Sequence, residues 1–432
     1  MKKAAFHNLG CKVNAYETDA MLESLKNDGY EIVDFNEEAD IYIINTCSVT
    51  NVADKKSRQM IHRAKKKNPN ALIIACGCYV QTSKDEVIKD GTAHIVIGTN
   101  HKNKILDYIK DYYDGAEKIV NIDDISHEHQ YEKITANQAG ENTRAYMKIQ
   151  DGCNQFCSYC IIPYARGRAR SRSFEDIYEE AKVLASKKYK EIVLTGIHLS
   201  SYGKDTGDTL LHVIKELSCI EGIERIRLGS IEPGIISDEF LEEVSKIKEF
   251  CPHFHISMQS GCDSVLKRMN RHYTADEYYE KCCKIRKYFE HPAITTDVIV
   301  GFPMESEEEF NETYDFIKKV EFYETHVFKY SRRKGTKADK MEGQVKEEIK
   351  NERSDILLKE NELKRKKFIE YYLDKEIEVL FEDTIEVDDK IYQLGHTKEY
   401  VKAALLSKEN LSNTSKIGKA KGFLQNNILL LE

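Results

Sequence analysis

The sequence contains no uninterrupted apolar run near the roughly 20 residues that a membrane-spanning helix requires. Its amino terminus, MKKAAFHNLGCKV, breaks its apolar stretch at His7 and Lys12, so no export signal is expected there. These two absences predict a soluble, unprocessed, cytoplasmic protein without a membrane partner. Net positive charge is also missing: 65 basic residues face 73 acidic ones, for a formal charge of −8. A uniformly basic nucleic-acid footprint is thereby excluded, and a polyanionic partner must be held by local patches.

Two such patches stand out. Lys55, Lys56, Arg58, Arg63, Lys65, Lys66 and Lys67 crowd one predicted helix, and Arg166, Arg168, Arg170 and Arg172 alternate behind a cysteine cluster. Either patch reads as a solvated face or a phosphate site, and the arginines equally as structural ion pairs. Twelve cysteines in a chain without an export signal point to metal ligation or thiol chemistry rather than disulfides.

At 432 residues the chain exceeds one ordinary core, and its pattern divides in three. Over residues 1–115, apolar runs such as ADIYIINTC and ALIIACGC alternate with helical segments, which predicts a parallel α/β sheet. Residues 115–142 read as a linker or long loop. Six β-like runs between 143 and 330, most separated by helices, predict a partial α/β barrel, followed by a charged helix near 343–370. The second domain is therefore drawn at 139–370. Residues 371–432, with EIEVLFED, KIYQLGHT, YVKAALL and ILLLE, predict a small all-β barrel. Lys390, Lys398, Lys402, Lys408, Lys416, Lys419 and Lys421 make one face of it a candidate basic surface.

The sharpest chemical signal is DGCNQFCSYCIIPYARGRARSR, where Cys153, Cys157 and Cys160 follow the first predicted barrel strand. Three thiolates in one loop can hold three irons of a cubane and leave the fourth open, whereas structural zinc calls for four ligands. These residues resemble the radical S-adenosylmethionine (SAM) superfamily, in which the open iron chelates SAM and cleaves it to a radical. Further matches fall at strand ends: Gly196 in LTGIHL, Glu232 in SIEP, Gln259 in SMQSG, and Gly301 with Pro303 in VIVGFP. The resemblance implies SAM contacts there, and it makes the alternating arginines candidates for the SAM carboxylate.

Cys11, Cys47 and Cys78 each follow a predicted strand of the first domain, and strand carboxyl ends of a parallel sheet share one edge, so the three converge. Buried structural cysteines are the plain alternative. Cys76 points to the other side of its strand and reads as core. Cys219, Cys251, Cys262, Cys282 and Cys283 show no ligand spacing.

Together GCKVN, NTCSVT and GCYVQ resemble the methylthiotransferase family, over essentially the whole chain. That resemblance implies a second 4Fe-4S cluster on Cys11, Cys47 and Cys78, a TRAM domain at the carboxyl end, and a second SAM as methyl donor. It also implies a tRNA substrate with an adenosine at position 37, an electron donor and a sulfur donor. GCKVN and NTCSVT look like the branch acting on threonylcarbamoyladenosine. Isopentenyladenosine in tRNA and a ribosomal-protein aspartate are the alternative substrates. A sulfur-inserting radical enzyme of small molecules, or a non-catalytic iron-sulfur RNA binder, are the readings from other classes.

Overall fold

The structure, a computed structural model, describes residues 2–136, 143–425 and 427–432. The first unit is a six-stranded parallel sheet of β1 (Lys3–Asn8), β2 (Glu31–Val33), β3 (Ile41–Thr46), β4 (Leu72–Gly77), β5 (Ile95–Ile97) and β6 (Ile119–Asn121), in the order β2-β1-β3-β4-β5-β6. Every residue of β3 and β4 is buried, as a sheet covered on both faces requires. Ile41, Ile43 and Ile74 pack with Tyr16, Met21 and Leu25 of helix Lys12–Asn27. Tyr42, Ile44 and Ile73 meet Ile61 and Ala64 of the basic helix Asn51–Lys67 on the other face.

The sheet runs past residue 115. β6 pairs in parallel with β5, and Ile134 and Ala136 are buried against the helix Lys12–Asn27 side of the sheet. Much of the segment read as a linker is thus part of the first unit. A three-residue strand between charged residues carries too few alternations to register as periodicity. The edge strand β2 escapes the sequence pattern for the same reason.

The central unit starts with β7 (Arg144–Lys148), followed by β8 (Gln150–Asp151) and β9 (Arg170–Ser171), a short antiparallel clasp around the cysteine loop. Then come β10 (Glu191–Thr195), β11 (Arg225–Leu228), β12 (Ser230–Ile231), β13 (His253–Ile256), β14 (Ala293–Val300) and β15 (Glu324–Lys329). All six expected barrel strands are present. β7, β10 and β11 form one parallel sheet, and β12 to β15 form another. Hydrogen bonds from Ile226 N to Glu249 O (2.7 Å) and from Cys251 N to Ile226 O (2.9 Å) join them into one curved wall. Outward residues Ile192, Leu194, Phe254, Ile256 and Val298 pack beneath the helices. Helix Glu347–Glu370 lies along β15, with Asn361 Oδ1 accepting from Thr325 N at 2.7 Å.

The last unit is a closed barrel of β16 (Glu376–Val387), β17 (Lys390–His396), β18 (Lys402–Leu406), β19 (Ser415–Phe423) and β20 (Leu429–Leu431), in the order β16-β17-β18-β20-β19. β19, SKIGKAKGF, is a strand that the sequence pattern does not predict, since its lysines and glycines hide the alternation. This barrel caps the amino ends of the central strands. Glu191 accepts from Arg144 and Arg227 at 2.7 Å each, and both guanidiniums lie over the Tyr400 ring at 4.8 and 4.7 Å. The cysteine loop lies at the other ends of those strands.

Candidate active site

Cys153, Cys157 and Cys160 sit in the loop between β8 and helix Ile162–Arg166. The loop folds tightly because Gly152 has φ +70 and a Cβ there would stand 1.9 Å from the Arg168 carbonyl oxygen, so only glycine allows the approach. Three donors reach the sulfurs: Gln155 N to Cys153 Sγ at 3.4 Å, Ile162 N to Cys160 Sγ at 3.4 Å, and Arg271 Nη1 to Cys157 Sγ at 3.3 Å. Such donors suit thiolates of an anionic cluster. In the metal-free chain, burial pushes the Cys153 and Cys160 thiols up to about 12.

Cys11 caps helix Lys12–Asn27, Cys47 follows β3, and Cys78 opens the helix Cys78–Thr82 after β4. Their thiols are close enough to perturb one another, although burial is the larger influence that raises Cys47 to about 11. Gly10, at φ +111, is pressed to the cluster of thiols, since a Cβ there would lie 2.9 Å from Cys47 Sγ. Asn14 of GCKVN donates to Leu9 O (2.7 Å) and Thr46 O (3.0 Å), stapling the loops of Cys11 and Cys47 together. Asn45 of NTCSVT donates to Asn14 O at 3.0 Å.

A buried charge network links Cys78 to Asp151 and Arg166, which flank the Cys153–Cys160 loop in the chain. Arg166 is fully buried; its Nε donates to Cys78 Sγ at 3.4 Å, and its other nitrogens reach Glu17 (2.5 and 3.0 Å), Asn14 Oδ1 (2.5 Å) and Asp151 Oδ2 (3.2 Å). Lys102 and Lys148 also pair with Glu17, and Lys148 with Asp151 at 2.6 Å. Burial alone would raise Glu17, but Arg166 and the two ammonium groups hold it well below the usual carboxylate range. Arg170 and Arg172 are buried too, the latter paired with Glu180, which leaves Arg168 as the exposed member of the alternating series, over the Phe156 ring at 4.8 Å. Arg166, Arg170 and Arg172 thus spend their charge on buried partners within the chain, as the structural ion-pair reading expects, and Arg168 alone of the series presents an exposed guanidinium.

Glu232 stands beside the cysteine loop, paired with Arg271 at 2.9 Å and His198 at 3.2 Å, and it accepts from Gln155 Nε2 at 3.0 Å. Gln259, at φ +70, ties β13 to β14 through Gln259 N to Asp297 O at 2.8 Å. Gly196 packs on Gln150, where a Cβ would meet the side chain at 2.9 Å. Gly301 faces protein on both sides, with its N–H given to Glu305 Oε2 at 2.7 Å and the Lys350 stem filling its Cβ position. Pro303 beside it is buried. Cys76 lies in the core cluster of the first sheet, Cys251, Cys262 and Cys282 are buried, and Cys219 and Cys283 are exposed. Sequence reasoning missed Arg271, His198, Gln155 and Arg333. His198 and Gln155 stand inside quoted motifs; Arg271 and Arg333 carried no signal beyond being basic residues outside any element.

A cavity of about 220 Å³ opens between the units, with Cys160, Tyr159, Gln259 and Asp297 on one side and Val49 and Thr50 on the other. Arg333 fixes that junction from the loop after β15, reaching Asp54 and Asn51 Oδ1 at 2.7 Å and Ser48 Oγ at 2.8 Å. Larger hollows of about 510 and 860 Å³ lie elsewhere and contain no cysteine.

Residues 3–98 match the Uncharacterized protein family UPF0004, and residues 147–317 match the Radical SAM superfamily, which entails a 4Fe-4S cluster and SAM. The chain is 44% identical over 424 residues to "Threonylcarbamoyladenosine tRNA methylthiotransferase MtaB" of Bacillus subtilis (strain 168), covering 98% of this chain and 94% of that one. It is 37% identical to "tRNA-2-methylthio-N(6)-dimethylallyladenosine synthase" of Acetivibrio thermocellus, covering 92% and 84%. The radical SAM methyltransferase TsrM of Kitasatospora setae shares the fold, with a TM-score of 0.57 at 12% identity over 76% of this chain and 75% of that one. The chain belongs to the radical SAM methylthiotransferase family and is an enzyme of that class.

Proposed function

We propose that the enzyme converts N6-threonylcarbamoyladenosine beside the tRNA anticodon, at position 37, to its 2-methylthio derivative, in the cytoplasm. In this reading Cys153, Cys157 and Cys160 hold the SAM-cleaving 4Fe-4S cluster, and Cys11, Cys47 and Cys78 hold a second one. When bound, the first with SAM supplies a radical and the second holds the sulfur to be transferred. The observation that carries the reading is the cavity lined by Cys160 of one cysteine set and by Val49 and Thr50, which follow Cys47 of the other in the chain, so that a base held there lies beside the first set and next to the loop that carries Cys47. An aromatic C–H offers no acidic proton to a general base, so the residues must position the base rather than deprotonate it.

Tyr159, Ile299, Phe328 and Tyr330 give the slot apolar walls on which a splayed base can stack. Gln259 lies at the same slot, and Glu232, held by Arg271 and His198, presents a carboxylate for the SAM amino group. Gly196 and Gly301 serve the site at one remove, by letting Gln150 and the Lys350 stem pack against the ends of β10 and β14. Burial raises the Glu232 carboxyl, and the hydrogen bond from His198 with the Arg271 charge outweighs it, so this group stays ionised. The donors that reload sulfur and electrons act from outside the chain.

Nucleoside mass spectrometry of tRNA from cells with and without the gene tests the reading. Loss of 2-methylthio-threonylcarbamoyladenosine in the deletion is expected. Loss of the isopentenyladenosine derivative instead would move the substrate, and unchanged nucleosides would overturn the assignment to tRNA.

A further inference from the structure

One cluster of ligating side chains lies inside the central wall and outside the cysteine sites. His255 on β13, Asp297 on β14 and His326 on β15 bring three ligand atoms within 4.8 Å of one another. Strand register builds the cluster: Asp297 is paired directly with His326, and Thr295, two residues earlier on the same face, with His255. His255 Nε2 lies 3.3 Å from Asp297 Oδ2, close to the separation of about 3.4 Å between two ligand atoms on a tetrahedral ion at bonds of about 2.1 Å. The His255 and His326 rings stand 5.5 Å apart at 33°, so a small rotation of the exposed His326 completes the triad. The buried Thr295 hydroxyl lies 2.9 Å from His255 Nδ1; when Nδ1–H donates to it, Nε2 keeps its lone pair toward Asp297, the outer-shell support that metal-binding histidines have.

We infer that His255, Asp297 and His326 bind a divalent first-row metal ion that grips the carboxylate of the substrate's N6 substituent. Two imidazoles and one carboxylate suit zinc, iron(II) or manganese, not the all-oxygen shells of calcium or magnesium, and three protein ligands leave a position open. Asp297 also borders the cavity proposed to hold the base, so the open position is within reach of a substituent on that base. The sign of the charge is the decisive point. Without an ion, Asp297 repels a carboxylate; with a divalent ion, the site carries a net charge of one positive unit and attracts it. An apolar isopentenyl group gains nothing from the ion. The inference about the carboxylate rests on the proposed substrate; the metal site does not.

The probe is Mn²⁺, which prefers nitrogen and oxygen ligands to thiolate and so competes poorly for the cysteines. The holoenzyme with both clusters oxidised is titrated while free Mn²⁺ is followed by electron paramagnetic resonance. One equivalent bound by the native enzyme, and at least tenfold weaker binding by His326→Gln and by Asp297→Asn, is expected. His326 is exposed, so its substitution leaves the fold intact. Equal binding by native and His326→Gln enzyme would overturn the metal site. Anticodon stem-loops carrying threonylcarbamoyladenosine or unmodified adenosine are then bound with and without one equivalent of Mn²⁺. At least tenfold tightening of the first alone is expected. Metal bound through His326 without that discrimination would overturn the carboxylate role. Failure of the substrate proposal itself is seen separately, as loss of a different nucleoside in the deletion strain.

Discussion

Glu17 accepts from Arg166 and Lys148 and pairs with Lys102, and all four side chains are buried. Removing one partner from such a set leaves charges uncompensated, which costs about 3–5 kcal/mol. Glu17→Ala is therefore expected to lower the urea midpoint by that equivalent, and to lose iron from Cys11, Cys47 and Cys78 before it loses iron from the other triplet. Iron per chain, measured for each triplet in the background of the other's alanine variants, checks this. Asp19 behaves in the opposite way. Burial raises its carboxyl from 3.8 to about 6, so the folded state binds the proton more tightly than the unfolded chain does. Below about pH 3 both states are protonated and no cost arises. As pH rises through 4 to 6 the unfolded state gains ionisation that the folded state resists, and the penalty is complete above 6. Asp19→Asn is expected to stabilise the protein by about 3 kcal/mol at pH 7.5 and by almost nothing near pH 3, read from urea midpoints at both pH values. At this scale the cysteines were legible from spacing and strand position. The arginine series was not, because Arg166 and Arg168 look alike in sequence and differ only in what surrounds them.

Helix Asn51–Lys67 was legible as an element because Ser57, Ile61 and Ala64 recur at helical spacing and are its buried face. Ser57 Oγ also donates to Cys47 O at 3.1 Å, so the helix that carries the basic patch fixes a cysteine. Part of the patch is spent locally: Arg63 donates to Asn36 Oδ1 at 2.6 Å, and Lys65 to Pro69 O at 2.6 Å. Lys55, Lys56 and Lys66 are exposed. If these three meet phosphates, replacing all three with alanine lowers tRNA affinity and reduces the slope of log affinity against log salt by roughly one for each phosphate no longer neutralised. Fluorescence anisotropy across a salt series reads both. β6 and β19 were illegible for different reasons: the first is three residues long, and the second alternates lysine and glycine with its apolar residues, so its face toward the barrel core is carried by Ala420 and neighbouring strands rather than by its own pattern.

On the scale of the whole molecule, methylthiolation requires the first sheet and the central wall to hold their cysteine loops in fixed relation, and the cavity lined by Val49, Thr50 and Cys160 lies at that junction. Arg333 is the clasp, with Asp54, Asn51 and Ser48 as partners. Its guanidinium is buried, so Arg333→Ala leaves Asp54 unpaired at about 2–5 kcal/mol and loosens the junction. The expected outcome is an uncoupled enzyme: 5′-deoxyadenosine is still released from SAM, while methylthiolated tRNA falls at least tenfold, both quantified from one reaction. Local patterns along the chain suffice for the order of the units, the six central strands, the spacing of Cys153, Cys157 and Cys160, and the placing of Cys11, Cys47 and Cys78 at strand ends. These follow from period, composition and loop position, all of which act over a few residues. That Arg166 bridges Cys78 and Glu17, that Arg333 clasps the loop after Cys47, and that His255, Asp297 and His326 converge is visible in the folded chain alone. Those contacts join residues far apart in the chain, and the packing of two sheets and a curved wall, not any local pattern, sets which of them meet.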